Sequence, residues 1–298
     1  MKTLRRLVVR GHSVRYLDRG QGEPLVFVHN GGMDHRLWEA QVAHFAPGRR
    51  VIALDLPGFG ASDAWPEGYT LAGYRRVLET LLREVVGGPA SLVGCCVGGA
   101  VVLDLALAQP ALVARAAMIT IDTPRVNDAG ILRPLMWLRR SAGLAGLLAL
   151  ARVRPARVAI GRVFSALQLG ATARRDPAYR RYVRGLWARS PRNAETLLRT
   201  NYEGFAHLDR AQRPVAGPPL ALLWGADNRV LPARCHAGFV ARLRPEVEAI
   251  VPGAGYLVMR ERPDVVNALL DRWLALPPYR AQTYVSHSAG ASPRTAAK

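Results

Sequence analysis

The sequence predicts an α/β protein with a mostly parallel central sheet, helices on both faces and a helical insertion. Over residues 1–124, short apolar runs alternate with helical patterns, as a parallel sheet requires. From 125 to 213 the patterns are helical, broken by Pro and Gly, and contain no β run. The alternation resumes over 214–276. We therefore expect one core, built from 1–124 and 214–276, with 125–213 as a helical lid or cap.

Apolar runs and turn residues define the first elements of this core. Two opening strands, LRRLVVRG and HSVRYLDRG, precede a buried strand in PLVFVHN (24–30). A glycine-rich loop and a helix over 38–45 follow, and the strand in RRVIALDLPGFGASD (49–63) ends at a Pro-Gly turn. The amphipathic pattern of 69–85 predicts a helix with Thr70 as its N-cap.

The remaining elements lie on either side of the insertion. Strand ASLVGC, a glycine-rich turn, helix GGAVVLDLALAQ and strand ARAAMITID complete the first part. After the insertion we expect a strand in 218–228, a helix over 232–243, a strand in 247–253 and a final helix, PDVVNALLDRWL. Residues 277–298 are polar and rich in small residues, which predicts a disordered tail.

The chain is strongly basic, with a formal net charge of +19. Arginine carries it, since Lys2 and Lys298 are the only lysines, and 125–213 holds 18 arginines against five acidic residues, which leaves +13 there. Such a bias is typical of a GC-rich genome. A basic surface also attracts acidic partners, such as carrier proteins, nucleotide-bearing thioesters or anionic lipids. Because no nucleic-acid-binding motif accompanies the charge, we expect no nucleic-acid partner.

The number of cysteines and the length of the apolar runs indicate the cellular compartment. The three cysteines, of which two are adjacent, do not form a disulfide framework. The apolar stretch in MKTLRRLVVRG is too short for a signal peptide, and no run approaches the roughly 20 residues of a membrane span. We expect a cytoplasmic protein with no membrane span, no metal and no cofactor. A homo-oligomer remains open.

The turn GCCVGG (94–99) has the form of a nucleophile elbow, in which a strand, G-x-nucleophile-x-G and a helix follow one another. Gly94 and Gly98 flank Cys96, because only small residues let the helix pass so close to the strand. Cys96 is thus expected at an exposed, strained apex, with Cys95 packed beside it. A helix N-terminus lowers the pKa of a thiol, so Cys96 is expected to be partly ionised without a histidine. Alternatively, Cys96 is a small buried residue tolerated in an inactive elbow.

From residue 5 to 275 the chain resembles the α/β-hydrolase family. VHNGG (28–32) is similar to the family's oxyanion loop, usually His-Gly-x, and DLPGFGASD to its D-x-P-G-x-G-x-S turn. LLWGADNRVLP is similar to the segment that carries the triad acid, and VPGAGYLVMRERPDVV to the one that carries the triad histidine. The resemblance implies that 125–213 is a lid and that the backbone N–H groups of Gly31 and Val97 form an oxyanion hole.

All three triad positions depart from the family's Ser-Asp-His. Cys96 replaces the serine, as in the minority of members with a G-x-C-x-G-G box, such as dienelactone hydrolases and polyhydroxyalkanoate synthases. Asn228 stands at the acid position, with Asp227 one place early, and Tyr256 stands at the histidine position. Tyrosine is a poor base but a serviceable acid or hydrogen-bond donor, and the Asn228 amide could hydrogen-bond its hydroxyl.

Other residues could supply the missing base or acid. His35, after the oxyanion loop, and His207, at the end of the lid, are candidate bases. Asp122 ends the strand after the elbow helix, where some family members place the acid, and is a candidate orienter. His29 is expected to brace the oxyanion loop instead.

Three functions remain open, each with a small carbonyl compound as partner. Cys96 could attack an ester or thioester, either free or tethered to an acidic carrier protein, with transfer or cyclisation favoured over hydrolysis because the base is missing. Tyr256 and the oxyanion hole could instead cyclise, eliminate or isomerise a secondary metabolite. Third, the protein could bind a ligand without turnover. The uncharged run 141–151 is expected to roof an apolar pocket, with a membrane-surface role as the alternative.

Overall fold

An eight-stranded sheet forms the centre of the molecule. The computed structural model describes residues 4–66, 68–141, 143–168, 177–189 and 191–280. The strands are β1 (Arg5–Val9), β2 (His12–Arg19), β3 (Pro24–Val28), β4 (Arg50–Leu54), β5 (Ala90–Cys96), β6 (Val113–Ile121), β7 (Leu220–Gly225) and β8 (Val247–Val251). Their order is β1-β2-β4-β3-β5-β6-β7-β8. Only the two pairings made by β2 are antiparallel, so the predicted mostly parallel α/β sheet is confirmed.

Helices cover the sheet. They are α1 (Glu39–Phe45), α2 (Leu71–Thr80), α3 (Val97–Ala108), α4 (Pro124–Ala129), α5 (Arg133–Arg140), α6 (Leu144–Arg152), α7 (Arg154–Gln168), α8 (Pro177–Arg189), α9 (Arg192–Arg199), α10 (His236–Leu243), α11 (Val258–Glu261) and α12 (Pro263–Leu274). A π-helical turn, Leu81–Val86, extends α2. Thr70 caps α2 as predicted, because its side chain accepts a hydrogen bond from the Gly73 amide.

The two elements that form the elbow, β5 and α3, lie in the core. Every residue of β5 is buried, as expected for a central parallel strand with both faces covered. Ten of the twelve residues of α3 are also buried, so this helix is apolar on all sides rather than amphipathic. The elbow between β5 and α3 therefore joins two almost completely buried elements.

Helices fill the chain between β6 and β7. This segment comprises α4 to α9 and a 3₁₀ helix, Tyr202–Arg210. Its arginines are partly neutralised by local carboxylates; Arg140, for example, binds both Asp128 and Glu203. It also exposes apolar side chains, namely Ile131, Trp137, Leu138, Leu150, Val153, Ile160 and Val163. That this segment acts as a lid stays a proposal.

The sequence predicts no membrane span and a disordered C-terminal tail. Within the described part of the chain, no helix combines the length and apolarity that a bilayer span requires. The predicted disordered tail, 277–298, lies outside the described residues from 281 onward, while the Tyr279 amide donates a hydrogen bond to the Ala114 carbonyl. The cytoplasmic location stays a prediction.

Candidate active site

The elbow is strained at its apex. Cys96 has φ 54° and ψ −112°, a conformation that L-residues rarely adopt. A Cβ on Gly98 would lie 2.2 Å from the Val28 carbonyl oxygen, and one on Gly94 would lie 2.2 Å from the Gly98 carbonyl oxygen. Both glycines are therefore required by close backbone approach, as predicted. Cys96 is only 4% exposed, so the expectation of an exposed apex is wrong; the helical segment covers it.

The Cys96 thiol is paired with a buried carboxylate. Its Sγ donates a hydrogen bond to Asp122 Oδ2 at 3.2 Å, and the Asp122 amide donates to the Cys96 carbonyl oxygen at 3.3 Å. Asn127, on α4, donates its side-chain amide to the other carboxylate oxygen, Oδ1. Asp122 is thus held at both oxygens and directed at the thiol, so of the candidate replacements it is the one that reaches Cys96.

A bulge in β6 brings Asp122 to this position. Cys95 pairs with Ile119 and Cys96 with Ile121, so Thr120 is an extra residue between them. Thr120 has φ 64°, a strained value for a β-branched residue. Its carbonyl oxygen would lie 2.4 Å from a Cβ on Gly99, which explains why α3 carries a glycine there.

Burial dominates the protonation of the pair. Burial raises the pKa of Asp122 to about 6, although hydrogen bonds from Cys96 and Asn127 act in the opposite direction. Burial also raises the pKa of Cys96 well above its ordinary value, with the charge of Asp122 adding to the shift. The expectation that the helix N-terminus leaves this thiol partly ionised is therefore wrong in this environment. The thiol therefore keeps its proton, which must move to Asp122 for the sulfur to react.

Tyr256 also lies beside the thiol. Its hydroxyl is close enough to Cys96 to affect the pKa of the thiol, and it accepts a hydrogen bond from Asn30 Nδ2 at 3.2 Å. Burial raises the pKa of Tyr256 well above its ordinary value, so the hydroxyl stays protonated. The predicted placement of Tyr256 beside Cys96 agrees with the geometry.

The amide that contacts Tyr256 belongs to Asn30 and not to Asn228. Asn228 Oδ1 accepts hydrogen bonds from the amides of Val230 and Leu231 at 3.1 and 2.9 Å, while its Nδ2 has no partner among the described residues. The suggested bond from Asn228 to the tyrosine hydroxyl is thus wrong. Asn30 was missed, although it stands where the family's oxyanion loop usually has glycine, and that departure was the available signal.

The other proposed acid and bases lie elsewhere. Asp227 is exposed. His35 Nδ1 lies 2.8 Å from Oδ1 of the buried Asp55; burial alone would lower the pKa of His35, but this bond and the Asp55 charge raise it. His207 has a 57% exposed side chain and pairs through Nε2 with Asp104 at 2.9 Å. None of these three residues lines the cavity at Cys96.

The oxyanion loop has the expected brace. His29 Nε2 accepts a hydrogen bond from the Leu56 amide at 2.9 Å, so its Nδ1 carries the proton and donates to the Asn30 carbonyl oxygen at 2.7 Å. Burial lowers the pKa of His29, which keeps the ring neutral. The loop is close to the start of α3, because a Cβ on Gly31 would lie 3.5 Å from Val97 Cγ2. Val97 is the first residue of α3, so its amide has no acceptor within the helix.

A cavity opens over the thiol. It has about 560 Å³ of unfilled space, a volume that includes open solvent. Its polar and loop residues are Gly31, Cys96, Val97, Asp122, Asn127, Arg139, Tyr202 and Tyr256, and its apolar wall is Leu132, Leu135, Met136, Leu197, Leu198, Val230 and Leu231. The roof comes from α5 and α9; of the predicted roof, 141–151, no described residue lines the cavity.

One described cluster has the donor set of a metal site. Ligand atoms of Asp34, His35 and Asp55 lie within 4.8 Å of one another. These atoms already have protein partners: Asp34 binds Arg36 and the Tyr182 hydroxyl, and Asp55 binds His35. The cluster is therefore an internal ion-pair network beside the oxyanion loop.

Comparisons with known proteins give consistent matches. A profile of the alpha/beta hydrolase fold matches residues 23–263. The chain is 30% identical over 269 residues to the dihydrolipoyllysine-residue acetyltransferase component of the acetoin cleaving system of Pseudomonas putida, covering 87% of this chain and 66% of that protein. It is 30% identical over 117 residues to the (E)-2-((N-methylformamido)methylene)succinate hydrolase of Acinetobacter baylyi, covering 39% of this chain and 44% of that protein.

Solved structures share the architecture. An alpha/beta hydrolase fold protein from Burkholderia ambifaria matches with a TM-score of 0.76 and 21% identity, over 90% of this chain and 97% of that chain. An esterase from Thermogutta terrifontis matches with a TM-score of 0.73 and 20% identity, over 91% of this chain and 98% of that chain. At these identities the likeness concerns the fold alone.

Proposed function

Because this chain belongs to the alpha/beta hydrolase fold family, we propose that it is an enzyme that transfers an acyl group from an ester or thioester through Cys96. The observation that carries the proposal is the 3.2 Å hydrogen bond from Cys96 Sγ to Asp122, at the base of a cavity that Gly31 and Val97 also line. Of the relatives named above, one is a hydrolase and the other is the acetyltransferase component of an acetoin cleaving system. A nucleophile beside an oxyanion hole serves both reaction classes.

Asp122 replaces the family's histidine as the base. As Sγ bonds to the substrate carbonyl carbon, the thiol proton passes to the Asp122 carboxylate, and the carbonyl oxygen becomes an oxyanion held by the Gly31 and Val97 amides. The tetrahedral intermediate then expels the thiolate or alkoxide, which takes the proton from Asp122 and leaves an acyl thioester on Cys96. An acceptor nucleophile attacks this thioester, gives its proton to Asp122, and displaces the Cys96 sulfur, which regains the proton.

The pKa of Asp122 makes this substitution chemically reasonable. At about 6 it lies close to the ordinary value of histidine, roughly 6.5, so the carboxylate has nearly the basicity of an imidazole. An ordinary thiol is a stronger acid than the serine hydroxyl that a histidine normally deprotonates, while burial raises the pKa of Cys96. The thiol therefore needs a base beside it, and Asp122 is in the position to act as one.

A second candidate function uses the same groups without covalent attack. The Asp122 carboxylate and the Tyr256 hydroxyl both contact Cys96, so a base and an acid flank the place where a substrate carbonyl would sit. The raised pKa of Cys96 favours a neutral thiol, which is the specific observation behind this alternative. Asp122 would then take a proton from carbon and Tyr256 would protonate or hold the enolate, giving an isomerisation, elimination or cyclisation.

The surroundings of the site fit a tethered or apolar donor. The helical segment between β6 and β7 roofs the cavity and is proposed to act as its lid. The net charge of +13 that 125–213 carries suits an acidic carrier protein that delivers the acyl group. This carrier belongs to the proposal, as does a homo-oligomer.

Trapping of the acyl-enzyme tests the proposal. The protein is incubated with acetyl, hexanoyl and benzoyl thioesters of N-acetylcysteamine and analysed by intact mass, alongside Cys96→Ala and the matched control Cys235→Ala. We expect an acyl adduct on the wild type and on Cys235→Ala, and none on Cys96→Ala. Full turnover by Cys96→Ala, with activity lost in Tyr256→Phe, would select the non-covalent alternative. Ligand binding without adduct or turnover would leave a binding protein.

A further inference from the structure

Arg139 is a cation in the wall of the cavity. It lies near the end of α5, and its side chain is only 11% exposed. Its Nη1 donates a hydrogen bond to the Thr200 carbonyl oxygen at 3.1 Å, and its guanidinium lies 5.1 Å from the centre of the Tyr202 ring. These contacts fix the plane of the guanidinium where it borders the space above Cys96.

The charge of Arg139 is only partly neutralised. The nearest carboxylate with which it forms an ion pair is Glu203, whose Oε1 is 3.8 Å from Arg139 Nη2. The same oxygen accepts a hydrogen bond from Arg140 Nε at 2.7 Å, and the Glu203 side chain is 54% exposed. Arg139 Nε is buried without a hydrogen-bond partner among the described residues. A buried donor of a charged group costs free energy when it is left unpaired, so this N–H is a position for an acceptor.

We infer that Arg139 binds a carboxylate of the substrate while the reacting carbonyl lies at Cys96. The inference rests on the proposed function only in its placement of the carbonyl. Guanidinium and carboxylate groups match in a planar, two-bond geometry, and Arg139 still has Nε and Nη donors to offer.

The surroundings of Arg139 favour a single negative charge. Arg139 is the one cation among the described residues that line the cavity, and Asp122 is an acid in the same wall. A phosphate dianion would therefore leave one charge uncompensated beside a carboxylate. The remaining wall is mostly leucine, which suits a hydrocarbon spacer. The substrate class is thus an acyl ester or thioester whose acyl chain bears a carboxylate.

Binding of a matched pair of probes tests this inference without using catalysis. Hexanoate and hexanamide have the same size but differ in charge, and both are titrated calorimetrically into wild type, Arg139→Gln, Arg139→Lys and the control Arg133→Gln, which removes an exposed arginine of the same helix. We expect hexanoate to bind at least tenfold more tightly than hexanamide to the wild type and to Arg133→Gln. The ratio falls to about one in Arg139→Gln and is intermediate in Arg139→Lys. Equal binding of the two probes by the wild type overturns the inference, as does an unchanged ratio in a folded Arg139→Gln.

A kinetic arm separates this inference from the proposed function. The adipoyl and hexanoyl thioesters of N-acetylcysteamine differ by a terminal carboxylate, and their kcat/KM values are compared in the same variants. We expect a preference for the adipoyl compound that disappears in Arg139→Gln and persists in Arg133→Gln. If Cys96 forms no adduct but the hexanoate preference depends on Arg139, the acyl-transfer proposal fails and the carboxylate site stands. If Cys96 is acylated but neither preference depends on Arg139, the acyl-transfer proposal stands and the carboxylate site fails.

Discussion

Cys96 Sγ lies 3.2 Å from Asp122 Oδ2, so the thiol of the elbow is directed at a buried carboxylate and not at an imidazole. The contact joins the ends of two neighbouring parallel strands, β5 and β6. It places the proton acceptor on the strand next to the nucleophile, whereas the triad histidine position, at Tyr256, supplies a hydroxyl donor. The chemistry of this pair gives the first two predictions.

The first concerns the pH dependence of turnover. Since Asp122 must be ionised to accept the thiol proton and burial raises its pKa to about 6, kcat/KM should rise with pH and level off above that value. In Asp122→Asn we expect kcat to fall at least a hundredfold and the acid limb near pH 6 to vanish. A pH–rate profile with a thioester substrate checks this. An unchanged limb in Asp122→Asn would assign it to another group.

The second concerns the pH dependence of folding. Because folding raises the pKa of Asp122 from its ordinary 3.8 to about 6, stability from this group is complete below pH 3.8 and is lost as pH rises through about 6. Between pH 5 and pH 8 the wild type should lose about 1 kcal/mol from this source. Urea unfolding at both values checks it, with Asp122→Asn as comparison. A pH-dependent loss equally large in Asp122→Asn would refute the assignment.

The third prediction concerns the Tyr256 hydroxyl. Tyr256→Phe removes the hydroxyl beside Cys96 and the acceptor for Asn30, so we expect kcat to fall roughly 10- to 100-fold with KM little changed. Steady-state kinetics measure this. Tyr182→Phe is the matched control, since it also loses a hydroxyl contact, to Asp34 Oδ1, but does not line the cavity. Equal effects of the two variants would argue against a role for Tyr256 in the reaction.

The fourth prediction tests the packing of the elbow. A Cβ on Gly98 would come within 2.2 Å of the Val28 carbonyl oxygen, so Gly98→Ala should destabilise the fold by about 3 kcal/mol or more. Gly146, on α6, has open space around it, and Gly146→Ala should stabilise by roughly 0.5–1 kcal/mol. Thermal unfolding of both variants compares a glycine that packing requires with one that it does not. Equal melting temperatures would contradict the close approach of α3 to β3.

The fifth prediction concerns His207. Its side chain is 57% exposed and pairs with Asp104, away from the cavity, so His207→Gln should leave kcat/KM within about twofold of wild type and stability within about 1 kcal/mol. Kinetics and urea unfolding of the variant check both values. A hundredfold loss of kcat/KM would instead make His207 the base.

Features that depend on local backbone geometry could be predicted from the sequence. The turn between β5 and α3 requires glycine at positions 94 and 98, and this spacing correctly predicts Cys96 as the apex of the elbow. The Thr70 cap and the alternating strands and helices are local in the same sense. Tyr256 was placed beside Cys96 through the family resemblance, because the order of the family's segments fixes which loop meets the elbow.

Features that depend on long-range packing could not be predicted from the sequence. The pKa of Cys96 was expected to fall because a helix N-terminus is visible in the sequence, whereas the burial that raises it is not. The pairing of His35 with Asp55, and of His207 with Asp104, joins segments 20 and 103 residues apart, so both histidines looked free. Nothing in the sequence distinguishes Arg139 from the other arginines, because its position in the cavity wall depends on packing.

Because of the extra residue in β6, the contact between Cys96 and Asp122 depends on how many residues that strand contains. Side chains alternate between the two faces of a strand, so a chain one residue shorter at Thr120 would turn the Asp122 carboxylate to the opposite side of the sheet. A relative could keep both Cys and Asp in its sequence and still lack their contact if it lacked the bulge. The position of the proton acceptor thus depends on the number of residues in β6 as much as on their identity. Single-residue deletions in β6 can therefore remove or create such a pair of thiol and carboxylate.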